Sequence, residues 1–192
     1  IHLEGPWLAL KYKGAHPPLL LSDPHPEAVA ELLDAGRGTV RMVTIAPERN
    51  GALESIRLMT ARGVMAAIGH TDADYDTSLA AIEAGARGAT HLFNAMAPLR
   101  HRDPGPVLAL WEDSRVHLEL IMDGVHVRPE LVAFVMATEP HRVVLITDAM
   151  AAAGAEDGDY VLGELPVEVR DGVARIAGTE TIAGSTLILD RA

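Results

Sequence analysis

The sequence predicts an α/β fold: a TIM-type (β/α)8 barrel that is incomplete in this chain and carries a β-hairpin insertion near the C-terminus. Short β-branched or apolar runs alternate with longer segments of helical period, as in βα units around a parallel sheet. Polar residues recur at or just after the ends of the predicted strands, and in a barrel the carboxyl ends of the strands converge on the active-site face. Near the C-terminus, residues 160–176 alternate between apolar and polar around Asp171 and Gly172, which predicts a hairpin.

Six segments are predicted strands and five are predicted helices. The strands are expected at residues 1–3, 39–45, 64–68, 89–92, 116–121 and 143–146. The helices are expected at residues 26–35, 51–62 and 74–84, after Gly105, and from 129 to about 138. The first three helices are each followed by a glycine, which is a stop signal. Because a complete barrel needs eight strands in about 250 residues, we expect this barrel to be incomplete at both ends.

The polar residues at the strand ends are of types that catalyse reactions or bind metals. They are Glu4, Glu48, His70, His91 with Asn94, Asp123 with His126, and Asp148. Core packing alone would not place acids and histidines at these points repeatedly. A doubly wound open sheet is the alternative, but it would gather its ligand-binding residues at one switch point and usually has a glycine-rich phosphate loop. The sequence contains neither a G-x-G-x-x-G motif nor a P-loop.

The composition excludes several classes of protein. The formal net charge of -11 opposes binding to a nucleic-acid backbone, although one or two well-placed arginines can still bind a small anion. Because the chain has no cysteine, any metal must be held by histidines and carboxylates. No apolar run approaches the ~18 residues of a membrane span, and no leader of basic and then apolar residues opens the chain. We therefore expect a cytoplasmic protein with neither nucleic acid nor membrane as a partner.

Six short segments occur in a characteristic order along the chain. They are HLEGP (2–6), GHTDADYD (69–76), THLFNAM (90–96), DGVHV (123–127), TDAM (147–150) and TIAGS (181–185). In that order they resemble the signature segments of the N-acetylglucosamine-6-phosphate deacetylase family, within the amidohydrolase superfamily. The resemblance implies a (β/α)8 barrel with a small β-sandwich. It also implies hydrolysis of N-acetylglucosamine 6-phosphate to glucosamine 6-phosphate and acetate, in amino-sugar catabolism.

The same resemblance implies a metal site and a catalytic acid/base. Glu4, His70 and His91 match the metal ligands of the family, and Asp148 matches its proton-transferring residue. Two imidazoles and one carboxylate with an open position suit a hydrolytic zinc ion, so we expect one divalent metal, with zinc ahead of iron or manganese. Zinc would polarise the amide carbonyl and lower the pKa of water toward about 7. Asp148 would transfer a proton from that water to the departing amine.

Further positions match residues that bind substrate in the family. They are Ala15, His16, Asn94, Ala95, Arg102, His126, Ile182, Ala183 and Gly184. His16 and His126 are expected to bond the acetamido carbonyl or sugar hydroxyls, and Arg102 with the Asn94 segment to bind the phosphate. In the family this arginine reaches the site of the neighbouring subunit, which implies a homodimer. Residues 182–184 match a segment that closes over the sugar, where a glycine permits close backbone approach.

Two features of many amidohydrolases are absent from the sequence: an H-x-H pair on the first barrel strand and a carbamylated lysine on a middle one. The absence of these ligands is consistent with a site that holds one metal ion instead of two. The strand that would carry the pair is expected before Ile1. Glu48 lies on the expected active face but receives no catalytic role. Residues 1–153 are expected to form the partial metal-dependent barrel. Residues 154–192 are expected to form the hairpin and the closing segment of the same catalytic domain.

Two other functions stay open at this stage. The first is an amidohydrolase acting on another N-acyl or cyclic amide substrate, for which Arg102 would have no phosphate to bind. The second is a non-catalytic sugar-phosphate-binding module, against which Asp148 argues because binding alone needs no proton transfer. The chain could also be part of a longer enzyme, in which case the function belongs to the whole.

Overall fold

The computed structural model describes residues 1–192 and confirms the predicted α/β class. The chain divides into two compact units, residues 1–118 and residues 119–192. The first unit contains four complete strands, four helices and the start of a fifth strand. The second contains the rest of that strand, one further helix and the strands that follow. No helix is both long enough and apolar enough to cross a membrane.

Six strands form one sheet and follow one another in chain order. They are β1 (His2–Glu4), β2 (Met42–Ile45), β3 (Met65–Ile68), β4 (Gly88–Ala89), β5 (His117–Ile121) and β6 (Val143–Ile146). The pairs from β1 to β5 are parallel, with Glu4 opposite Thr44 at one end and Ala89 opposite Leu118 at the other. Parallel neighbours that are consecutive in the chain require a crossover between each pair.

Each crossover contains one α-helix. The helices are α1 (Pro26–Ala35), α2 (Ala52–Ala61), α3 (Tyr75–Ala84), α4 (Gly105–Glu112) and α5 (Pro129–Thr138). Helix α1 has the predicted bounds because Pro26 occupies its first position, where an N–H group is not needed, and Gly36 follows its last turn. Six strands in chain order with a helix between neighbours are the topology of an incomplete (β/α)8 barrel, as predicted.

Strands β2 and β3 lie in the core of the first unit. Val43 and Ile45 of β2, and Ile68 of β3, expose none of their surface to solvent. Parallel strands that are covered on both faces are nearly continuous apolar runs, so these two show no alternation in sequence. These strands end at Ile45 and Ile68. The polar residues Glu48 and His70 follow within three residues of those ends.

The fourth strand differs from the prediction. It consists of Gly88–Ala89 instead of residues 89–92. The chain leaves the sheet after Ala89 because His91 and Phe93 have φ values of 32° and 80°, in the left-handed region that a strand cannot contain. The apolar and β-branched character of this segment predicted a longer strand than the backbone allows.

The predicted hairpin is a three-stranded antiparallel sheet in the second unit. Its strands are β7 (Gly158–Leu162), β8 (Leu165–Arg170) and β9 (Val173–Ile176). The turn at Asp171 and Gly172 is confirmed, and both residues have positive φ values, 51° and 73°. The additional turn around Gly163, which separates β7 from β8, was not predicted.

Candidate metal centre

Three side chains of ligand type meet at one point in the first unit. Glu4 is the last residue of β1, whereas His70 and His91 each lie two residues beyond a strand, β3 and β4 respectively. The Oε1 atom of Glu4 is 3.2 Å from Nε2 of His70 and 2.9 Å from Nε2 of His91. The two Nε2 atoms are 3.1 Å apart. The structure therefore brings together the three residues that the sequence offered as ligands.

The two histidines share an unusual backbone conformation. Their φ values are 47° for His70 and 32° for His91, in the left-handed region that residues other than glycine seldom adopt. Asp148, in the second unit, also lies two residues beyond a strand and has a φ of 48°. Such conformations cost about 1–3 kcal/mol each and are concentrated at functional sites. His70, His91 and Asp148 thus share the same left-handed turn at the same distance from a strand end.

A main-chain carbonyl fixes the tautomer of His70. Its Nδ1 atom is 2.6 Å from the carbonyl oxygen of Tyr12. Because a carbonyl can only accept, Nδ1 carries the proton, and Nε2 of the neutral ring keeps its lone pair. The second ring nitrogen of a metal-binding histidine is commonly held in this way. The N–H of Ala9 also donates to the carbonyl of His70 at 2.8 Å, so residues 9–12 hold both its ring and its backbone.

His16 joins the cluster from the opposite side of the carboxylate. Its Nε2 atom is 3.1 Å from Oε2 of Glu4, and its ring stands edge-on to that of His70. Burial alone would raise the pKa of Glu4, but hydrogen bonds with His16, His70 and His91 outweigh that effect and hold the pKa far below its usual value. Glu4 is thus ionised, with one oxygen toward His70 and His91 and the other toward His16.

This set of donor atoms fits a metal ion. Oε1 of Glu4 and Nε2 of His70 both present lone pairs, and Nε2 of His91 lies within 3.1 Å of each. Such atoms approach closely when a positive charge lies between them, and either a proton or a metal ion can supply it. A tetrahedral zinc with bonds of about 2.0–2.1 Å would place its ligand atoms roughly 3.3–3.4 Å apart, close to the observed spacing. Both histidines are buried, and the three residues could hold one metal ion.

Glu48 makes contacts that the sequence did not predict. Its Oε2 atom accepts a hydrogen bond from the Thr71 hydroxyl at 2.6 Å, and its Oε1 atom accepts one from the next backbone N–H at 2.7 Å. The N–H of Thr71 donates in turn to the carbonyl of Ala95 at 3.1 Å. Glu48 therefore ties the segment after β2 to the turn after His70, and the backbone of Thr71 ties that turn to the segment after His91. Its residue type after a strand was visible in the sequence, but its partners were not.

The expected phosphate-binding positions follow His91. Asn94 closes a turn, in which its backbone N–H donates to the carbonyl of His91 at 2.9 Å and its side-chain amide donates to the same carbonyl at 3.3 Å. Ala95 has a φ of 49°. Arg102 is exposed ahead of α4 and forms no ion pair with a carboxylate of the chain. Ala15 is half-buried beside His16.

In the second unit, the TIAGS segment runs beside the TDAM segment. The N–H of Ser185 donates to the carbonyl of Asp148 at 2.7 Å, and the N–H of Met150 donates to the carbonyl of Ser185 at 2.9 Å. Gly184 has a φ of 66°, and a Cβ atom there would lie 3.1 Å from the carbonyl oxygen of Asp148. Glycine is needed at this position because the two segments approach so closely. Ile182 and Ala183, which precede it, pair with β9.

The turn after β5 contains His126, whose Nδ1 atom is 2.6 Å from Oδ2 of Asp123. Burial would raise the pKa of Asp123, but hydrogen bonds from the His126 ring and from two backbone N–H groups outweigh it and lower the pKa. The sequence placed both residues at a strand end without pairing them. The D-x-x-H spacing within a turn is the signal that could have revealed the pair.

No protein-family model matches the chain. Curated relatives do match it. It is 42% identical over 191 residues to the N-acetylgalactosamine-6-phosphate deacetylase of Escherichia coli O157:H7, an alignment that covers 100% of this chain and 50% of the relative. It is 40% identical over 190 residues to the N-acetylglucosamine-6-phosphate deacetylase of Vibrio furnissii, covering 99% of this chain and 47% of the relative.

Solved structures agree with these relatives. The N-acetyl-D-glucosamine-6-phosphate deacetylase of Mycobacterium smegmatis is 58% identical, with a TM-score of 0.94 over 97% of this chain and 50% of that chain. Almost the whole chain matches this deacetylase family. A variant of the mycobacterial deacetylase in complex with N-acetyl-D-glucosamine-6-phosphate gives a TM-score of 0.95. The chain spans about half the length of the deacetylases that it matches.

Proposed function

We propose that the chain carries the metal centre and the acid/base of a deacetylase that hydrolyses N-acetylglucosamine 6-phosphate to glucosamine 6-phosphate and acetate, in amino-sugar catabolism. The observation that carries this proposal is the meeting of Glu4, His70 and His91 within 3.2 Å of one another. Its second support is the 58% identity to the mycobacterial deacetylase.

Glu4, His70 and His91 would hold one divalent metal ion. Zinc is our first choice because it prefers two imidazoles and a carboxylate, and iron or manganese would accept the same donors. A metal ion held there would polarise an amide carbonyl and lower the pKa of water. The Tyr12 carbonyl keeps the lone pair of His70 directed into the site, and His16 restrains the second oxygen of Glu4.

Asp148 is the proposed acid/base. Its main chain is held by the hydrogen bond from Ser185 and by the left-handed turn after β6. The carboxylate would take a proton from the attacking water and return it to the departing amine, which requires it to lie within hydrogen-bond reach of both. Such a residue typically contributes about 10²- to 10⁴-fold to a rate.

The remaining site residues are proposed to bind the phosphorylated sugar. His16 and His126 would bond the acetamido carbonyl or sugar hydroxyls. Ala15 and residues 182–184 would line the sugar, in keeping with the close backbone approach at Gly184. Residues 154–192 would then form the hairpin and closing segment of a catalytic domain whose barrel part is residues 1–153.

Arg102, with Asn94 and Ala95, is proposed to bind the phosphate. An exposed arginine without an ion pair within the chain suits a bidentate contact with a phosphate group. We also propose a homodimer, in which Arg102 would serve the site of the neighbouring subunit, and a cytoplasmic location.

A second candidate substrate is N-acetylgalactosamine 6-phosphate. It is favoured by the 42% identity to the E. coli deacetylase named for that sugar. The two substrates differ in the orientation of one hydroxyl, which leaves the amide and the phosphate unchanged. In both substrates the amide would therefore bind at the same metal centre and the phosphate at the same arginine.

The experiment measures acetate release by the purified, zinc-loaded chain from both phosphorylated sugars and from unphosphorylated N-acetylglucosamine. Asp148→Asn, prepared with the same metal content, is the control for acetate that arises without the proposed acid/base. We expect the unmodified chain to release acetate rapidly from the phosphorylated sugars and slowly from N-acetylglucosamine, and Asp148→Asn to be about 10²- to 10⁴-fold slower. Equal rates with and without Asp148, or no release from any of the three sugars, would contradict the proposal.

A further inference from the structure

The turn after β5 holds the ring of His126 by one edge. Nδ1 of His126 is 2.6 Å from Oδ2 of Asp123. The other carboxylate oxygen, Oδ1, accepts the N–H of Val125 at 2.9 Å and the N–H of His126 itself at 2.8 Å. Both oxygens of Asp123 are therefore engaged within the turn, and one of them is directed at a single ring nitrogen.

This arrangement decides which ring nitrogen of His126 is available to a ligand. A carboxylate only accepts, so Nδ1 carries a proton, and Nε2 is the nitrogen that remains. No group of the chain bonds Nε2, although only 8% of the side chain is exposed. Nε2 is not one of the side-chain atoms that are buried without a partner, so water or a ligand can reach it and supply its hydrogen bond.

We propose that Asp123 is a positioning residue that holds His126 in the Nδ1–H form and thereby reserves Nε2 for the substrate. A neutral ring held in this way accepts a hydrogen bond at Nε2, so the group that it recognises is a donor such as a sugar hydroxyl. The identity of that ligand rests on the proposed function, whereas the tautomer rests on the turn alone.

Replacement of Asp123 by asparagine reverses the chemistry at this edge of the ring. The two backbone N–H groups need an acceptor, so the amide oxygen of the asparagine would take the place of Oδ1. Its NH2 group would then face Nδ1 of His126 and donate to it. The ring would have to carry its proton on Nε2, which would turn an acceptor for the substrate into a donor.

The test reads the tautomer directly from the imidazole ¹⁵N shifts of the 192-residue chain in long-range ¹H–¹⁵N spectra. The signals lost in His126→Gln identify the ring. We expect the Nδ1–H form in the unmodified chain and the Nε2–H form in Asp123→Asn. The matched control is Asp74→Asn, because Asp74 also accepts the N–H three residues ahead, at 2.7 Å, but faces no histidine. It should leave His126 unchanged.

An Nε2–H ring in the unmodified chain would overturn the proposal without reference to any variant. An unchanged Nδ1–H ring in a folded Asp123→Asn would do the same. The kinetic consequence is a KM for N-acetylglucosamine 6-phosphate raised about 10- to 100-fold, because a substrate hydroxyl would lose its acceptor and face another donor, with kcat less affected. An unchanged KM with a changed tautomer would overturn the role toward substrate. A chain that releases no acetate would contradict the proposed function, and the spectra would still decide the role of Asp123.

Discussion

The carbonyl oxygen of Tyr12 accepts a hydrogen bond from Nδ1 of His70 at 2.6 Å. A short 3-10 turn, Leu10–Tyr12, thereby determines which nitrogen of the histidine that follows β3 faces the carboxylate of Glu4. The turn supplies no metal ligand of its own. The proposed metal centre would nevertheless depend on it, because an unheld imidazole can rotate or change its tautomer.

Gly14→Ala tests this dependence. Gly14 has a φ of +55°, and a Cβ atom there would lie 3.2 Å from Cε1 of His70. We expect the free energy of unfolding to fall by about 1–2 kcal/mol from backbone strain. We also expect the affinity for zinc to fall by about tenfold, because the ring is displaced. Isothermal titration calorimetry with ZnCl2 measures the affinity.

The matched control for this variant is Gly63→Ala. Gly63 has a φ of +70° and no heavy atom within 4 Å of the position of a Cβ. The backbone strain is therefore similar, but nothing is displaced. Gly63→Ala should lose stability without losing affinity for zinc, and equal losses of affinity in both variants would show that the contact with His70 has no effect.

Glu48→Ala tests the link between the segment after β2 and the turn that follows His70. The substitution removes the acceptor of the Thr71 hydroxyl and of the following backbone N–H. We expect a loss of about 1–3 kcal/mol in the free energy of unfolding, because groups that are partly buried lose their partner. Urea denaturation measures it. Glu54→Ala is the control: Glu54 contacts only an exposed Arg57, at 3.8 Å, and its removal should cost less than about 0.5 kcal/mol. A similar small effect at both positions would contradict the structural role of Glu48.

The sequence predicted those features that residue type alone determines. Helices α1 and α5 have the predicted bounds, and each begins with a proline, which suits the first helical position. Glu4, His70 and His91 were among the acids and histidines that follow predicted strands, and the resemblance to the deacetylase family implied that these three are the ligands. The Tyr12 carbonyl could not be predicted, since any residue supplies a carbonyl. The early end of β4 depends on the left-handed φ of His91, which no propensity indicates.

Asp148→Asn should separate catalysis from binding. An amide cannot take a proton from water at neutral pH, so we expect kcat to fall by about 10²- to 10⁴-fold. The substitution changes no proposed ligand, and metal content and KM should stay near those of the unmodified chain. Acetate release with parallel elemental analysis measures both quantities. Loss of metal from this variant would mean that Asp148 supports the metal centre instead of transferring the proton.

Arg102→Ala should affect the phosphorylated substrate alone. We expect KM for N-acetylglucosamine 6-phosphate to rise about 10- to 100-fold, equivalent to one lost charge-assisted hydrogen bond. The slow hydrolysis of unphosphorylated N-acetylglucosamine should be nearly unchanged, as should the melting temperature, because the side chain is exposed. Arg57→Ala, which removes another exposed arginine, is the control for net charge. Equal losses with both sugars would assign Arg102 a structural role.

The measurement that tests the central claim most directly is the zinc content of the purified chain, determined by elemental analysis after exhaustive dialysis. A centre of two histidines and one glutamate predicts about one zinc per unmodified chain, and the same for His101→Ala, which replaces an exposed histidine outside the centre. It predicts almost no zinc in His91→Ala. Free zinc at one hundred times Kd should also stabilise the unmodified chain by about 2.7 kcal/mol. Zinc content that is unchanged in His91→Ala, or absent from the folded unmodified chain, would contradict a metal centre formed by Glu4, His70 and His91.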